Sequence, residues 1–283
     1  MRWRDGRRSD NVEDQRGSGV RQGAIGGGIG ILVILVIGLL MGADPSALLN
    51  AITTGSGSVD STPVELTAAE NESADFVSVV LADTEDTWQA IFTEKGMVYT
   101  QPKLVMFTGQ VDSACGSAQS AMGPFYCPND QKVYIDLSFY QELKDQLGAP
   151  GDFAQAYVIA HEVGHHVQNL LGTSAKVQTL ESQSNEVTAN KYSVMLELQA
   201  DCYAGVWAKR TDASQHIIEA GDIEEAMNAA QKIGDDALQK QSQGYVVPDS
   251  FTHGTSAQRM KWFNAGLTGG DINSCDTFNA TVL

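Results

Sequence analysis

Positive charge is scarce in this sequence of 283 residues, which has 18 Lys and Arg against 35 Asp and Glu and a formal net charge of −17. Phosphate backbones repel a chain this acidic, so the charge argues against a nucleic-acid partner. A Gly-rich phosphate loop is also absent, because the glycines within residues 26–30 lie in an apolar run. The sequence therefore favours a function other than binding nucleic acids or nucleotides.

Cysteine is scarce as well, and no C-x-x-C pair occurs, so the sequence does not indicate a Cys-based zinc site or a thioredoxin-type redox motif. The four cysteines are Cys115, Cys127, Cys202 and Cys275. An even number suits disulfides in an oxidising compartment, and four buried free thiols are the alternative. Of the three possible pairings we favour Cys115–Cys127, which closes a Gly/Pro-rich hairpin, and by elimination Cys202–Cys275.

An uncharged run of 22 residues extends from Gln22 to Ala43. About 20 apolar residues cross a bilayer core, so this run predicts a transmembrane anchor. Residues 1–21 carry six Arg, which places the N-terminus in the cytoplasm and everything after Asp44 outside it. A cleaved signal peptide is the competing interpretation, although the junction at 41–45 is a poor cleavage site, and a buried core helix is the third.

A metal-binding motif lies near the middle of the chain, where residues 161–165 have the form H-E-x-x-H. Residues 152–171 show helical apolar spacing, so His161 and His165 share one face and can bind one metal ion. Glu162 is displaced by about 100° around the helix, where it can contact a metal-bound water. The alternative, two partly exposed His and a solvated Glu, fits poorly beside a buried stripe. The pattern predicts zinc-dependent hydrolysis.

A catalytic zinc needs a third protein ligand and one open position. The longer H-E-x-x-H-x-x-G-x-x-H pattern is absent, because Gln168 stands at its Gly position. On a second predicted helix, Glu197 and Asp201 lie one turn apart, and the small Ala200 allows a close approach to the first helix. We assign Glu197 as the third ligand and Asp201 as the acceptor for the free Nδ1–H of a ligating His. A pair of solvated helix acids is the alternative.

In such a site Glu162 accepts the proton of the attacking water, and the oxyanion needs a donor besides the metal. His253, in a Gly-containing turn before a predicted helix, is the catalytic candidate, with a surface turn His as the alternative. We interpret His166 as structural and His216 as a surface residue. Arg259 either pairs with a site carboxylate or is an exposed helix charge.

Predicted helices outnumber predicted strands, so the class is mainly α with a small β-sheet. Lys132–Leu137 alternates like a half-buried strand and could pair, as an edge strand, with an extended substrate. We divide the chain into a cytoplasmic basic segment (1–21), a transmembrane anchor (22–43), a flexible linker (44–75) and a zinc metallopeptidase domain (76–283).

Residues 161–172 and 197–207 together resemble the neutral zinc metallopeptidase family of bacterial membrane-anchored proteins. Further similarity at residues 1–4, 9–14, 123–128 and 249–256 extends over nearly the whole chain. The resemblance implies a zincin-like domain with one zinc ion on His161, His165 and Glu197. The chain is more distantly similar to HtpX-like membrane peptidases. That similarity implies that His253 stabilises the oxyanion or occupies the fourth zinc position as an inhibitory ligand.

We therefore expect a single-pass membrane protein that hydrolyses peptide bonds outside the cytoplasm, with protein or peptide substrates and residues 22–43 in the lipid bilayer. Two alternatives share the metal ligands. The first is a non-catalytic, zinc-stabilised binding or chaperone-like module. The second is a metal hydrolase that acts on a non-peptide amide such as a cell-wall crosslink.

Overall fold

The computed structural model describes residues 1–17 and 66–283. Within these residues helices dominate, which confirms the predicted mainly α class with a small β-sheet. The helices are α1 (Ala68–Glu94), α2 (Ser138–Asp145), α3 (Asp152–Leu170), α4 (Thr173–Ser182), α5 (Glu186–Gln215), α6 (Asp222–Lys232), α7 (Asp235–Gln243) and α8 (Ser256–Gly269). The strands are β1 (Val12–Asp14), β2 (Lys103–Phe107), β3 (Gln110–Ser113), β4 (Gly116–Gln119), β5 (Phe125–Cys127) and β6 (Lys132–Asp136).

The helical core is built around α3, α5 and α8. These helices approach one another closely because small residues lie at their contacts. A Cβ atom on Gly164 of α3 would lie 3.1 Å from the Cα of Ala200 on α5, so the two backbones are nearly in contact. A Cβ atom on Gly266 of α8 would lie 1.9 Å from the carbonyl oxygen of Cys202, which leaves no room for a side chain. Fully buried Trp88, Trp207, Tyr157, Phe153 and Phe263 fill the space around these contacts.

The main sheet has the strand order β1-β2-β6-β5. The first three strands are parallel, and β5 is antiparallel to β6. The prediction that Lys132–Leu137 is a free edge strand for substrate is wrong, because β6 is paired with β2 on one side and β5 on the other. The edge strand beside the H-E-x-x-H helix is β5, whose Tyr126 hydroxyl accepts a hydrogen bond from Asn169 of α3 at 3.1 Å.

Both predicted disulfides are formed. Cys115 pairs with Cys127 and closes the loop that leads into β5. Cys202 pairs with Cys275 and joins α5 to the short 3-10 turn Ile272–Cys275 near the C-terminus. The described residues contain no free cysteine, so the interpretation as four free thiols is wrong.

Two predicted boundaries differ from those of the structure. α1 begins at Ala68 after a capping box between Thr67 and Glu70, so residues 68–75, predicted as linker, are helical. The prediction also treated residues 1–21 as a segment separate from the metallopeptidase domain. Residues 1–17 instead pack against the domain, and β1 pairs with β2 in the main sheet. Met1 and Trp3 lie in the same hydrophobic core as the helices.

The predicted membrane anchor, residues 22–43, lies outside the described residues. Among the residues that are described, no helix is both long enough and apolar enough to span a bilayer.

Candidate metal centre

α3 and α5 bring the three predicted metal ligands together. The Nε2 atom of His161 lies 3.1 Å from Oε2 of Glu197, and the Nε2 atom of His165 lies 3.4 Å from Oε1 of the same carboxylate. One ligand atom from each residue lies within 4.8 Å of the other two. Three donors at this spacing can bind a single cation, and two imidazoles with one carboxylate form a donor set typical of catalytic zinc.

The other ring nitrogen of each imidazole is held by a hydrogen bond, which turns Nε2 towards the common point. Nδ1 of His161 lies 2.8 Å from Oδ1 of Asp201, as the sequence predicted. Nδ1 of His165 lies 2.9 Å from Oε1 of Gln168, a partner that the sequence analysis missed. The i, i+3 spacing of His165 and Gln168 on one helix was the available signal. Gln168 is itself fixed by a hydrogen bond to the carbonyl of Leu196 at 2.7 Å.

Asp201 is the centre of a buried polar network behind the ligands. Arg259 of α8 donates to both of its oxygens, from Nε at 2.8 Å and from Nη2 at 2.9 Å. The Tyr157 hydroxyl donates to Oδ1 of Asp201 at 2.5 Å. A bidentate guanidinium–carboxylate pair is among the strongest polar contacts in proteins, so this network fixes the Asp201 carboxylate. Of the two roles considered for Arg259, the structure shows the ion pair.

The electrostatics of the cluster favour a positive charge at its centre. Burial lowers the pKa of His161, but Asp201 and Glu197 outweigh burial and raise it to about 9. The pKa of His165 is also raised, because Glu197 outweighs burial there too. Burial would raise the pKa of Glu197, yet the two imidazoles hold it well below its usual value. Without a metal the site therefore retains protons, and a divalent cation can replace them.

Glu162 borders the same cleft as the three ligands. It is 8% exposed and, among the described residues, has no hydrogen-bond partner for its carboxylate. It does not belong to the convergent group of ligand atoms. This position is compatible with contact to a water at the metal and does not make Glu162 a ligand.

His253 also lines the cleft, in the turn before α8. Its Nδ1 atom lies 3.3 Å from Oδ1 of Asp235, the first residue of α7. The other oxygen of Asp235 accepts hydrogen bonds from the backbone N–H groups of residues 252, 253 and 254 at 2.8, 2.7 and 3.0 Å. The turn is thus held rigidly, and the imidazole is half exposed towards the cleft. His253 is not among the atoms that converge with the three ligands.

The two remaining histidines have structural positions. His166 is buried, with Nε2 2.6 Å from the carbonyl of Thr100 and Nδ1 3.0 Å from the Tyr126 hydroxyl, and burial lowers its pKa. It therefore links α3 to the main sheet. His216 is exposed and ends α5 in the left-handed conformation, with φ 55°.

The cleft over these residues has a volume of about 850 Å³. Its walls come from the loop before β5, from α2 and from α4, and they are largely apolar: Phe125, Phe139, Leu147, Val177, Leu196 and Ile233. Glu142 and Glu181 also face the cleft, and among the described residues neither carboxylate has an ion-pair or hydrogen-bond partner. Because burial is not offset by a partner, the pKa of Glu181 is raised.

A helix with two His one turn apart, a Glu between them and a carboxylate ligand from a second helix define the class of H-E-x-x-H zinc hydrolase centres with a Glu ligand. The chain belongs to the family described as "Putative neutral zinc metallopeptidase", whose model matches residues 1–278. That family implies zinc as the metal.

Relatives from two bacteria are similar over long stretches. The uncharacterized protein YpfJ of Escherichia coli K12 is 52% identical over 288 residues, which cover 100% of both chains. The uncharacterized protein Rv2575 of Mycobacterium tuberculosis is 44% identical over 218 residues, which cover 74% of this chain and 73% of the relative. No solved structure matches the chain.

Proposed function

We propose that this protein is a zinc-dependent endopeptidase in which Glu162 acts as general base. The observation that carries the proposal is the convergence of His161, His165 and Glu197 within 4.8 Å at the floor of a cleft that also exposes Glu162. The donor set fits zinc, and the hydrogen bonds to Asp201 and Gln168 leave both Nε2 atoms free to bind it.

When bound, Zn²⁺ supplies Lewis-acid polarisation of a water molecule and of the scissile carbonyl. Glu162 accepts the proton of the attacking water and returns it to the leaving amine. The hydrogen bond to Asp235 outweighs burial and raises the pKa of His253, which favours a ring protonated on both nitrogens. Nδ1–H then donates to Asp235, and Nε2–H is left to donate to the oxyanion from the cleft wall.

The cleft supports a peptide as substrate and indicates which side chains it prefers. A volume of about 850 Å³ accommodates several residues of an extended chain, and β5 offers a free edge beside α3. The apolar walls suit apolar side chains. Among the described residues Glu142 and Glu181 have no cationic partner, so their carboxylates would attract a Lys or Arg side chain of a bound peptide.

We place the domain outside the cytoplasm. The support is the pair of disulfides, because such bonds persist in oxidising compartments and are rare in the cytosol. Membrane attachment through residues 22–43 remains part of this proposal and depends on the uncharged sequence of that run.

The test is cleavage of a peptide library by the full chain with zinc, after removal of zinc, and with the variant Glu162→Gln. We expect cleavage only by the zinc-loaded wild type, and zinc content in Glu162→Gln equal to that of the wild type. The matched control is Glu186→Gln, which changes an exposed acid at the start of α5. Equal cleavage in all samples would refute the proposal, and so would a zinc-loaded wild type that cleaves no peptide.

A further inference from the structure

The N-terminal segment, residues 1–17, is an integral part of the domain. β1 pairs in parallel with β2, with Val12 opposite Leu104 and Asp14 opposite Met106. Backbone hydrogen bonds join Leu104 N to Asn11 O at 2.9 Å and Gln15 N to Met106 O at 2.8 Å. The segment therefore supplies an edge strand of the main sheet.

A buried carboxylate on α1 depends on this segment for its partners. Glu85 is 1% exposed. Its carboxylate accepts hydrogen bonds from Arg7 Nη2 at 2.8 Å, from Asn11 Nδ2 at 2.8 Å and from the Ser9 hydroxyl. Among the described residues, no donor outside residues 1–17 bonds to it. Without the segment, α1 would hold a buried charge with no partner, which is strongly destabilising.

Apolar contacts hold the beginning of the segment in the core. Trp3 is 8% exposed and packs edge-on against Phe76 of α1, with ring centroids 5.3 Å apart. Two further contacts follow α1. Gly6 lies against Val79, and the Arg8 guanidinium pairs with the Asp75 carboxylate one helical turn closer to the start of the helix. The segment thus runs along α1 before it joins the sheet.

The segment ends where the rest of the described chain begins. Nη1 of Arg16 donates to the carbonyl of Glu70, in the first turn of α1, at 2.6 Å. Residues 16 and 70, on either side of the connecting residues 18–65, therefore lie next to each other. Of the connecting residues, 22–43 are uncharged, whereas 44–65 contain three acidic residues and two prolines.

We infer that residues 1–17 and 66–283 fold as one unit and therefore lie on the same side of the membrane. One crossing by residues 22–43 would place a hydrocarbon core of about 30 Å between β1 and β2 and remove every partner of Glu85. A second crossing needs about 20 apolar residues, and 44–65 do not supply them.

This inference does not depend on catalysis, and it replaces the expectation of a cytoplasmic N-terminus beside an external domain. The disulfides then place the N-terminal segment outside the cytoplasm together with the domain.

Cysteine labelling in intact cells tests the inference. Asp10→Cys and Gln183→Cys place one exposed thiol on the N-terminal segment and one on the domain, in separate full-length variants. A membrane-impermeant maleimide is added to spheroplasts and, for comparison, to detergent-opened cells, in which both thiols react. We expect the two positions to react alike in intact spheroplasts. Reaction at one position with protection of the other would overturn the inference.

A second measurement tests the docking itself in the native membrane. Trp3→Ala removes a buried side chain from the core, whereas Arg2→Ala changes a side chain that is 64% exposed. In intact cells, heating should precipitate the Trp3→Ala protein several degrees below the wild type, and Arg2→Ala should match the wild type. Identical midpoints for wild type and Trp3→Ala would mean that the segment is not docked in cells and would overturn the inference.

Discussion

Asp201 orients His161 from the side of the ring opposite Glu197. Its carboxylate lies 2.8 Å from Nδ1 of His161 and also holds Arg259 and Tyr157. Arg259, followed by His161, outweighs burial and lowers the pKa of Asp201 to about 2, so the group is ionised at neutral pH. An ionised acceptor fixes the proton on Nδ1 and makes Nε2 a better metal ligand.

We predict that Asp201→Asn weakens zinc binding by about 10- to 100-fold, because the amide keeps an acceptor oxygen but loses the charge. Competition with a chromophoric zinc chelator measures the affinity. Asp145→Asn, which changes an exposed acid on α2, is the matched control and should bind zinc like the wild type. Wild-type affinity in Asp201→Asn would show that Asp201 does not tune the ligand.

We predict that Glu181→Gln selectively slows cleavage of peptides with Lys or Arg near the scissile bond. The carboxylate faces the cleft without a partner, so its removal abolishes an attraction to cationic side chains only. The measurement compares kcat/KM for two peptides that differ by Lys or norleucine at one position. If the ratio of kcat/KM for the Lys peptide to that for the norleucine peptide is the same in Glu181→Gln and wild type, the assigned preference is wrong. The proposed endopeptidase activity would not be affected by that result.

At the scale of elements, α5 connects the metal centre to the rest of the fold. Its residues Glu197 and Asp201 face the histidines of α3, and its backbone packs closely on α8. The C-terminal end of α5 contacts α1. At that end Gln215 donates to Asp83 of α1 at 3.2 Å. Asp83 is 2% exposed, and burial raises its pKa to about 6.

Asp83 should therefore make stability depend on pH. Its pKa is higher in the folded than in the unfolded chain, where it is about 3.9, so the folded state loses stability as pH rises from about 4 through about 6. We predict that Asp83→Asn unfolds like the wild type near pH 4 and is more stable by about 1 to 3 kcal/mol above pH 7. Denaturant unfolding at both pH values measures this difference.

The control for this prediction is Asp86→Asn, on the same helix, whose carboxylate is 53% exposed and paired with Arg7. Its gain in stability at high pH should be much smaller than that of Asp83→Asn, because burial contributes more than Asp86 to the raised pKa of Asp83. A difference between Asp83→Asn and the wild type that stays constant across this pH range would contradict the assignment of the raised pKa to Asp83.

At the scale of the whole molecule, contacts distant in sequence complete the fold. Residues 12–14 form one edge strand of the main sheet, and the disulfide from Cys202 to Cys275 fixes the 3-10 turn near the C-terminus to α5. The three ligands lie on two helices, so a bound ion would crosslink α3 and α5. Zinc binding and the stability of the domain should therefore be coupled.

We predict that zinc at about 100 times its dissociation constant stabilises the folded protein by about 2.7 kcal/mol and raises its melting temperature by several degrees. Glu197→Ala should abolish the zinc-dependent rise, whereas His216→Ala, at an exposed helix end, should retain it. Differential scanning calorimetry with and without chelator measures both. An equal rise in Glu197→Ala and wild type would mean that zinc binds elsewhere.

The sequence by itself determined the features that depend on helix periodicity. The spacing of His161, Glu162 and His165 and the one-turn spacing of Glu197 and Asp201 are local, so they place these side chains on helix faces before any tertiary contact forms. The small residue at 200 also indicated a close helix contact, which the structure shows at Gly164. The mainly helical class was predicted from the same periodicity, whereas the disulfide pairs were predicted from the Gly/Pro-rich stretch between Cys115 and Cys127 and by elimination.

Only the tertiary structure decided which partners meet across the chain. Strand alternation identified β6 but not its place in the middle of the sheet, because pairing depends on strands distant in sequence. The same holds for the ion pair of Arg259 with Asp201 and for the three N-terminal donors to Glu85. A buried charge needs a partner, and the local sequence does not specify which distant residue supplies it.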